Sequence, residues 1–382
     1  MSIECLPDEL VMAIVGAIDD PTAVLAWSLV SRRYHGISVD PSLWRRMYEA
    51  RFGLPMHVRF EAHGKNWRWL YRACAVDGTR AGVAVGRLRI ALFLQGTPCV
   101  YWGDIADGLP HGYGLAISLP TPFAHPETLE PLGDANFALD EGHTVYEGQW
   151  ARGQRHGHGA LIDATIDYEG QHENDAPHGN GTCRFPNACY TGTMHHGART
   201  GWGVVTYSNG QRHEGNFQDG KAHGYGIHTW PHGERHEGWY ENDNMNGPGL
   251  QKFPNGTTYR GQFRDGVRHG HGTLTWNGRT YTGGFHLDLM HGFGVCIYPS
   301  GSTFRGQYER EQRQGWGVFT FAADRSRLWG RWSEDKRIEG EVVDHGTRRL
   351  PCTATSRCRA CACAPKAKPS EPGIPVSFLD SL

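Results

Sequence analysis

From Tyr146 to Leu328 the apolar and polar positions recur on a frame of 22 to 24 residues, eight units without a break. Each unit opens on an aromatic residue or His, with Gly two positions later and usually an aromatic four later. A Gly-x-Gly pair follows at offsets eleven and thirteen, and an aromatic usually at offset seventeen. Units start at Tyr146, Tyr168, Tyr190, His213, His236, Tyr259, Tyr281 and Phe304. An earlier copy starts at Tyr101 and a decayed one at Leu328. A fixed period of this length marks an array in which each unit packs on its neighbours. Such an array binds or scaffolds along a surface rather than enclosing one pocket.

Within a unit the alternation is that of two short strands. Side chains at offsets zero, two and four share one face of a strand. Asp219-Gly220 and Asp265-Gly266 suit tight hairpin turns, which need positive φ. Asn209-Gly210, Asn255-Gly256 and Asn277-Gly278 turn the chain into the next unit. Glycine normally weakens a strand. Its recurrence at fixed offsets predicts rings lying over bare glycine backbone, a core made without a layer of helices. Two strands per unit at ~4.8 Å give ~9–10 Å of advance, or a twisted ribbon of roughly 80–95 Å for nine or ten units.

The N-terminal 1–50 read differently. Pro7 suits a first helical turn, and Leu10, Ile14 and Ile18 fall four apart on one face. Asp20-Pro21 and Pro41 each open a further helical segment, the latter with Leu43, Trp44 and Met47. Residues 51–75 look helical and aromatic, a joint between helices and array. Residues 83–94 carry a strand-like LRIALFL that caps the first unit, since an open sheet edge invites aggregation. Residues 118–144 carry four prolines and interrupt the repeat where a second unit is due. Residues 345–382 are small, polar and Pro-rich and are expected to be disordered.

Two resemblances follow. LPDEL at 6–10, SLVSRRYHGI at 28–37 and DPSLWRRMY at 40–48 resemble an F-box. That likeness implies docking on the Skp-type adaptor of a cullin-based (SCF) ubiquitin ligase through Leu6, Pro7, Leu10, Ile14, Leu25, Leu29 and Val30, with Leu43 and Trp44 packing the helices together. The Tyr-x-Gly-x-aromatic and Gly-x-Gly frame over 101–340 resembles the MORN repeat. It implies a mainly β fold: consecutive hairpins forming an elongated twisted sheet behind a small all-α domain. The combination is similar to the multi-gene F-box/MORN proteins of giant DNA viruses of amoebae, such as pandoraviruses.

The whole chain of 382 residues has a net charge of −2. Residues 146–332 hold 18 Lys/Arg and 17 Asp/Glu, no electrostatic footprint for nucleic acid or an anionic membrane. No signal peptide or long apolar span is visible, and the ten Cys are scattered, so an intracellular, cytoplasmic location is expected, host cytoplasm if viral. No catalytic constellation stands out, and no cofactor is expected. The many His tempt a metal reading: offset ten holds His111, His156, His178, His223, His269 and His291. The remaining units put Thr200, Asn246 and Gln314 there, which are poor ligands, so a structural hydrogen bond at the strand entry is expected instead. Cys352, Cys358, Cys361 and Cys363 contain a single C-x₂-C pair and do not make the usual zinc knuckles.

The expected function is therefore a non-catalytic, substrate-recruiting subunit of a ubiquitin ligase, with the array holding a protein target. The alternatives are an assembly scaffold, homodimeric through the array, or a membrane-proximal protein. Frame residues are committed to packing, whereas offset one carries Glu147, Glu169, Thr191, Glu214, Glu237, Arg260, Thr282 and Arg305. Offset three is Gln in four of the eight units, and Trp239 stands out there; its odd offset places it opposite the ladder, either as an exposed anchor or packed on a neighbouring strand.

Overall fold

The computed structural model describes residues 7–8, 11–12, 14, 31–55, 57, 59–93, 97–118, 144–343 and 349–350. It falls into two compact units, Met1–His291 and Gly292–Leu382. The fold is mainly β, antiparallel hairpins following a few N-terminal helices.

In the first unit, helix α1 (Arg32–Val39) starts at Ser31, whose hydroxyl accepts the Tyr34 N–H at 3.2 Å. Asp40 caps helix α2 (Pro41–Phe52) with Pro41 at its first position. Leu43, Trp44, Met47 and Tyr48 of α2 are buried. The Trp44 indole donates to the Ser38 carbonyl at 2.6 Å and meets Tyr71 edge-on at 5.6 Å. Gly53, at φ 76°, ends α2. The joint is thus not helical throughout. A loop with one 3₁₀ turn (Glu61–His63) precedes helix α3 (Trp67–Ala75), because Gly53, Pro55 and Gly64 interrupt it.

Strand β1 (Val85–Phe93) pairs antiparallel with β2 (Thr97–Ala106), and β2 with β3 (Leu109–Ser118). β3 pairs directly with β4 (Val145–Ala151), Gly114 opposite Gly148. No unit therefore stands between the Tyr101 copy and the Tyr146 unit. Residues 119–143 lie outside the described residues, and their flanks meet: the Ser118 N–H donates to the Thr144 carbonyl at 2.9 Å. β4 pairs with β5 (Gln154–Ile162), and the alternation continues in register to Arg279–His286.

The rings do lie over glycine. Gly148 faces Gly159, Gly170 faces Gly181, and a methyl group on Gly159 would collide with the Tyr146 ring. The Tyr hydroxyls are not idle. Tyr146, Tyr168, Tyr190 and Tyr259 each donate to the carbonyl three residues on, at 2.8–2.9 Å, beside a register shift in the pairing. Each ring also meets aromatic neighbours edge-on, as Tyr146 meets Trp150 and His172 at 5.1 and 4.9 Å.

Turns and stacking follow one rule that is only partly Asp-Gly. In the hairpin turns within the units both central residues have positive φ even where no glycine is present, as at Leu287-Asp288. The second of these residues ties back to the unit before it. The Asp288 N–H donates to the Arg268 carbonyl at 3.0 Å, and the Asp288 carboxylate accepts from the Arg268 N–H at 2.9 Å. The Arg268 guanidinium then covers Tyr259 and Phe285 at 5.6 and 5.8 Å. Arg155 and Asp175 repeat this clasp.

His213 and His236 hold the ladder place of Tyr and are buried. Burial pushes both imidazoles down to about 4, and His172 to about 3.

In the second unit, Thr303–Glu309 pairs with Gln312–Thr320, and Arg327–Ser333 with Lys336–Val343. The copy at Leu328 forms a hairpin, with Gly330 opposite Gly340 and Trp332 buried. Arg349 and Leu350, in the segment expected to be disordered, pair with Val343 and Val342 and extend the sheet by one short strand. Cys352, Cys358, Cys361 and Cys363 lie outside the described residues.

Candidate protein-binding faces

Of the expected adaptor-docking set, Pro7 and Ile14 are exposed, Ile14 at 40%. Leu6, Leu10, Leu25, Leu29 and Val30 lie outside the described residues. Leu43 and Trp44 are buried inside the helical part.

The sheet of the first unit has two unlike faces. The ladder face packs on itself, from Tyr101 and Tyr146 to Tyr190 and Phe217. The opposite face is covered at one end. There Val100, Trp102, Tyr113, Leu115 and Ile117 join one core with Trp44, Tyr48, Trp69 and Leu70 of the helices. Tyr113 sits between the two glycines of its Gly-x-Gly pair, which turns it onto this face. Three rings surround it: His63 stacked at 4.4 Å, Trp69 at 5.6 Å and His57 at 6.2 Å. Its hydroxyl donates to Glu147 at 2.6 Å.

Glu147 is only 5% exposed, although offset one was expected to be free. It also accepts the Arg59 N–H at 3.1 Å and lies 3.6 Å from His57 Nδ1. Burial alone would push its carboxyl up; the His57 imidazole and the Tyr113 hydroxyl outweigh it and hold it below the usual range. The Arg59 guanidinium reaches Glu169 at 2.7 Å. Asp104 accepts from Lys65 Nζ at 2.5 Å and from the Trp69 indole at 2.6 Å. Two offset-one residues are therefore committed to seating residues 57–69. The sequence signal for this was missing, because the contacts join positions 88 and 110 apart.

Further along, the same face is open. Trp239 is 50% exposed, Trp202 48% and Tyr225 37%. Trp239 lies directly opposite Tyr225, with ring centroids 6.5 Å apart. It is thus both exposed and in contact with a neighbouring strand. Trp202 and Tyr225 join Trp239 on this face, and the sequence signal for both is an aromatic between the paired glycines, as at Tyr113. In the second unit Trp316 has this offset and stacks on Trp329 at 5.8 Å.

Offset ten is less uniform than expected. His178 lies 3.3 Å from Glu173, Asn246 donates to Glu241, and Gln314 accepts the Glu334 N–H at 3.3 Å. The buried His269 Nδ1, however, has no hydrogen-bond partner. His178 joins His195 and His196, with one ligand atom from each lying within 4.8 Å of the others. Three imidazoles suit a borderline divalent ion such as zinc. Among the described residues no helix is long and apolar enough to cross a membrane.

The F-box-like family model matches residues 3–50. The MORN repeat model matches 101–116, 146–165, 168–189, 190–212, 213–235, 236–258, 259–279 and 281–303. The chain thus carries a match to the F-box-like model followed by eight matches to the MORN repeat model. Both families are generally non-catalytic adaptor or repeat proteins. No curated protein matches. Among solved structures, the chain is similar to the SAS-4 TCP domain of Drosophila melanogaster in complex with a proline-rich motif of Ana2. The identity is 14%, over 34% of this chain and 73% of that one, at a TM-score of 0.24. It is also similar to the TCP10c domain of Drosophila melanogaster Sas-4, at 11% identity over 43% and 91%, with a TM-score of 0.23. Likeness at this level carries no argument about fold or partners.

Proposed function

We propose that this F-box-like/MORN protein recruits a protein target to an SCF-type ubiquitin ligase and has no active site of its own. The observation that carries the reading is the F-box-like match at 3–50 joined in one chain to a MORN array with an open aromatic face. The F-box-like helices dock a Skp-type adaptor through Leu6, Pro7, Leu10, Ile14, Leu25, Leu29 and Val30. The array holds the target, so the ligase gains rate by proximity. An intracellular, cytoplasmic location, the host cytoplasm if the chain is viral, belongs to the same proposal.

A pull-down with purified Skp-type adaptor tests the reading. Wild type retains the adaptor, and Leu10→Asp with Leu29→Asp releases it. If wild type retains none, or the double variant binds as well, the chain is a scaffold without a ligase role. The exposed ring row would serve that scaffold equally, so only the adaptor separates the two.

A further inference from the structure

The face that seats the helical part carries its central device twice. Tyr113, between paired glycines, donates to Glu147 at 2.6 Å; Tyr225, at the same offset, donates to Glu237 at 2.8 Å. In both cases the acceptor is the offset-one carboxylate of the next unit, directly across the strand pair from the residue two places after the tyrosine. The first couple is buried under residues 57–69, which bring three rings and a backbone N–H. The second couple lies on the same face of the same sheet and is open.

Its surroundings suit a similar occupant. Trp239 stands opposite Tyr225, and Trp202 lies two strands away on the same row. Half-buried Val204, Ile227 and Leu250 continue the surface between the strands. On this stretch Arg212 pairs with Glu214 at 2.7 Å and Arg235 with Glu237 at 2.8 Å, while Lys252 stands opposite Arg235 and Arg260 opposite Leu250. The patch is therefore aromatic and apolar, with Lys252 and Arg260 as cations at its edge. It offers stacking faces and a carboxylate that holds one oxygen toward Tyr225 and the other toward Arg235. Rings of this kind anchor protein interfaces.

We propose that Trp202, Tyr225, Glu237 and Trp239 form the docking site for a partner-protein segment bearing clustered aromatic or imidazole rings. The segment is a counterpart, supplied in trans, of residues 57–69. Its rings stack on Tyr225 and the two tryptophans, and a backbone N–H reaches Glu237 as the Arg59 N–H reaches Glu147. This places and describes the target site of the recruiting function proposed above, and so rests on that reading.

The test uses the full chain and a phage-displayed library of random linear peptides. Selection on wild type, with counter-selection on Tyr225→Ala/Trp239→Ala, enriches peptides carrying two or more of Trp, Tyr, Phe and His. Those peptides bind Trp239→Ala at least tenfold more weakly, and Tyr225→Phe, which keeps the ring and loses the hydroxyl, several-fold more weakly. Thermal melts of the variants match wild type, which separates lost binding from lost folding. The proposal is overturned if the enriched peptides are ring-poor, if they bind the double variant equally, or if none is enriched. It is also overturned if sedimentation shows wild type dimerising through this patch, with the double variant monomeric, because the occupant is then a second copy. Adaptor capture, measured in parallel, keeps the two readings apart. Retained adaptor without peptide binding sinks only this site, and peptide binding without adaptor sinks only the ligase role.

Discussion

Tyr113 and Tyr225 occupy one offset of one repeat, on one face of one sheet, and each donates to a glutamate across the next strand. What differs is what lies above them. Over Tyr113 the chain folds back its own loop and helix, and the ring becomes part of a core. Over Tyr225 nothing from the described residues is seated, and the ring is part of a surface. A repeat frame thus fixes where a ring points without fixing whether it serves stability or recognition; covering decides that. Substitutions at matched offsets should separate the two roles.

The largest effect is expected from deleting units. Each hairpin contacts its neighbours, so stability accumulates along the array. Removing the open unit 236–258 keeps the register, and a cooperative melt should survive. Removing half of it joins hairpins out of phase and should give aggregates. Removing 146–167 also keeps the register and brings Glu169 to the place of Glu147 and Thr191 to that of Glu169, so the helical part should stay seated and lose only the Arg59 ion pair. Circular dichroism melts and limited proteolysis read all three. Like behaviour of the whole-unit and half-unit deletions would mean that the repeat is not the structural unit.

Next in size are the matched ring truncations. Tyr113→Ala opens a cavity among His63, Trp69 and Leu115 and should cost about 3–5 kcal/mol. Trp239→Ala removes a half-exposed ring and should stay within about 0.5 kcal/mol of wild type. Denaturant unfolding measures both; equal costs would erase the distinction between covered and open regions.

The matched carboxylates should follow at smaller size. Glu147→Ala strands the Tyr113 hydroxyl and the Arg59 N–H in a buried place, at about 2–3 kcal/mol. Glu237→Ala, beside solvent, should cost under about 1 kcal/mol. If Glu237→Ala proves as damaging as Glu147→Ala, the open couple is a structural element after all.

A further effect, confined to acid pH, concerns the buried histidines. The imidazoles of His213 and His236 sit at about 4 when folded, below the 6.5 of an unburied histidine. The unfolded chain therefore binds more protons between these values. The stability that depends on neutral imidazole is fully present above pH 6.5 and is lost as pH falls through about 4. His213→Tyr restores the ladder residue used by the neighbouring Tyr190 unit. It should flatten the loss of stability over that window, measured as the melting temperature against pH. An unchanged slope would mean that His213 is not held neutral by burial.

Much of this array was legible in the sequence, because its rules are local. The strand alternation, the ring over paired glycines and the exposed side of Trp239 all follow from offsets within a unit. Asp-Gly announces positive φ in the sequence, but Leu287-Asp288 adopts it without glycine, held by the clasp to Arg268. That clasp links offset nine of one unit to offset seven of the next, a pattern visible only once the stacking register is known. The covering of Glu147 and Glu169 was not legible at all. It depends on a loop from residues 57–69 meeting strands far along the chain, and no period encodes that meeting.

As proposed above, one chain bridges two proteins, an adaptor at the F-box-like helices and a ring-bearing segment at the open face. Titrating the selected peptide into the full chain, with and without saturating Skp-type adaptor, tests it most directly. Both are expected to bind one molecule together, with the peptide Kd unchanged by the adaptor. Mutual exclusion, or failure of either to bind wild type, would contradict it.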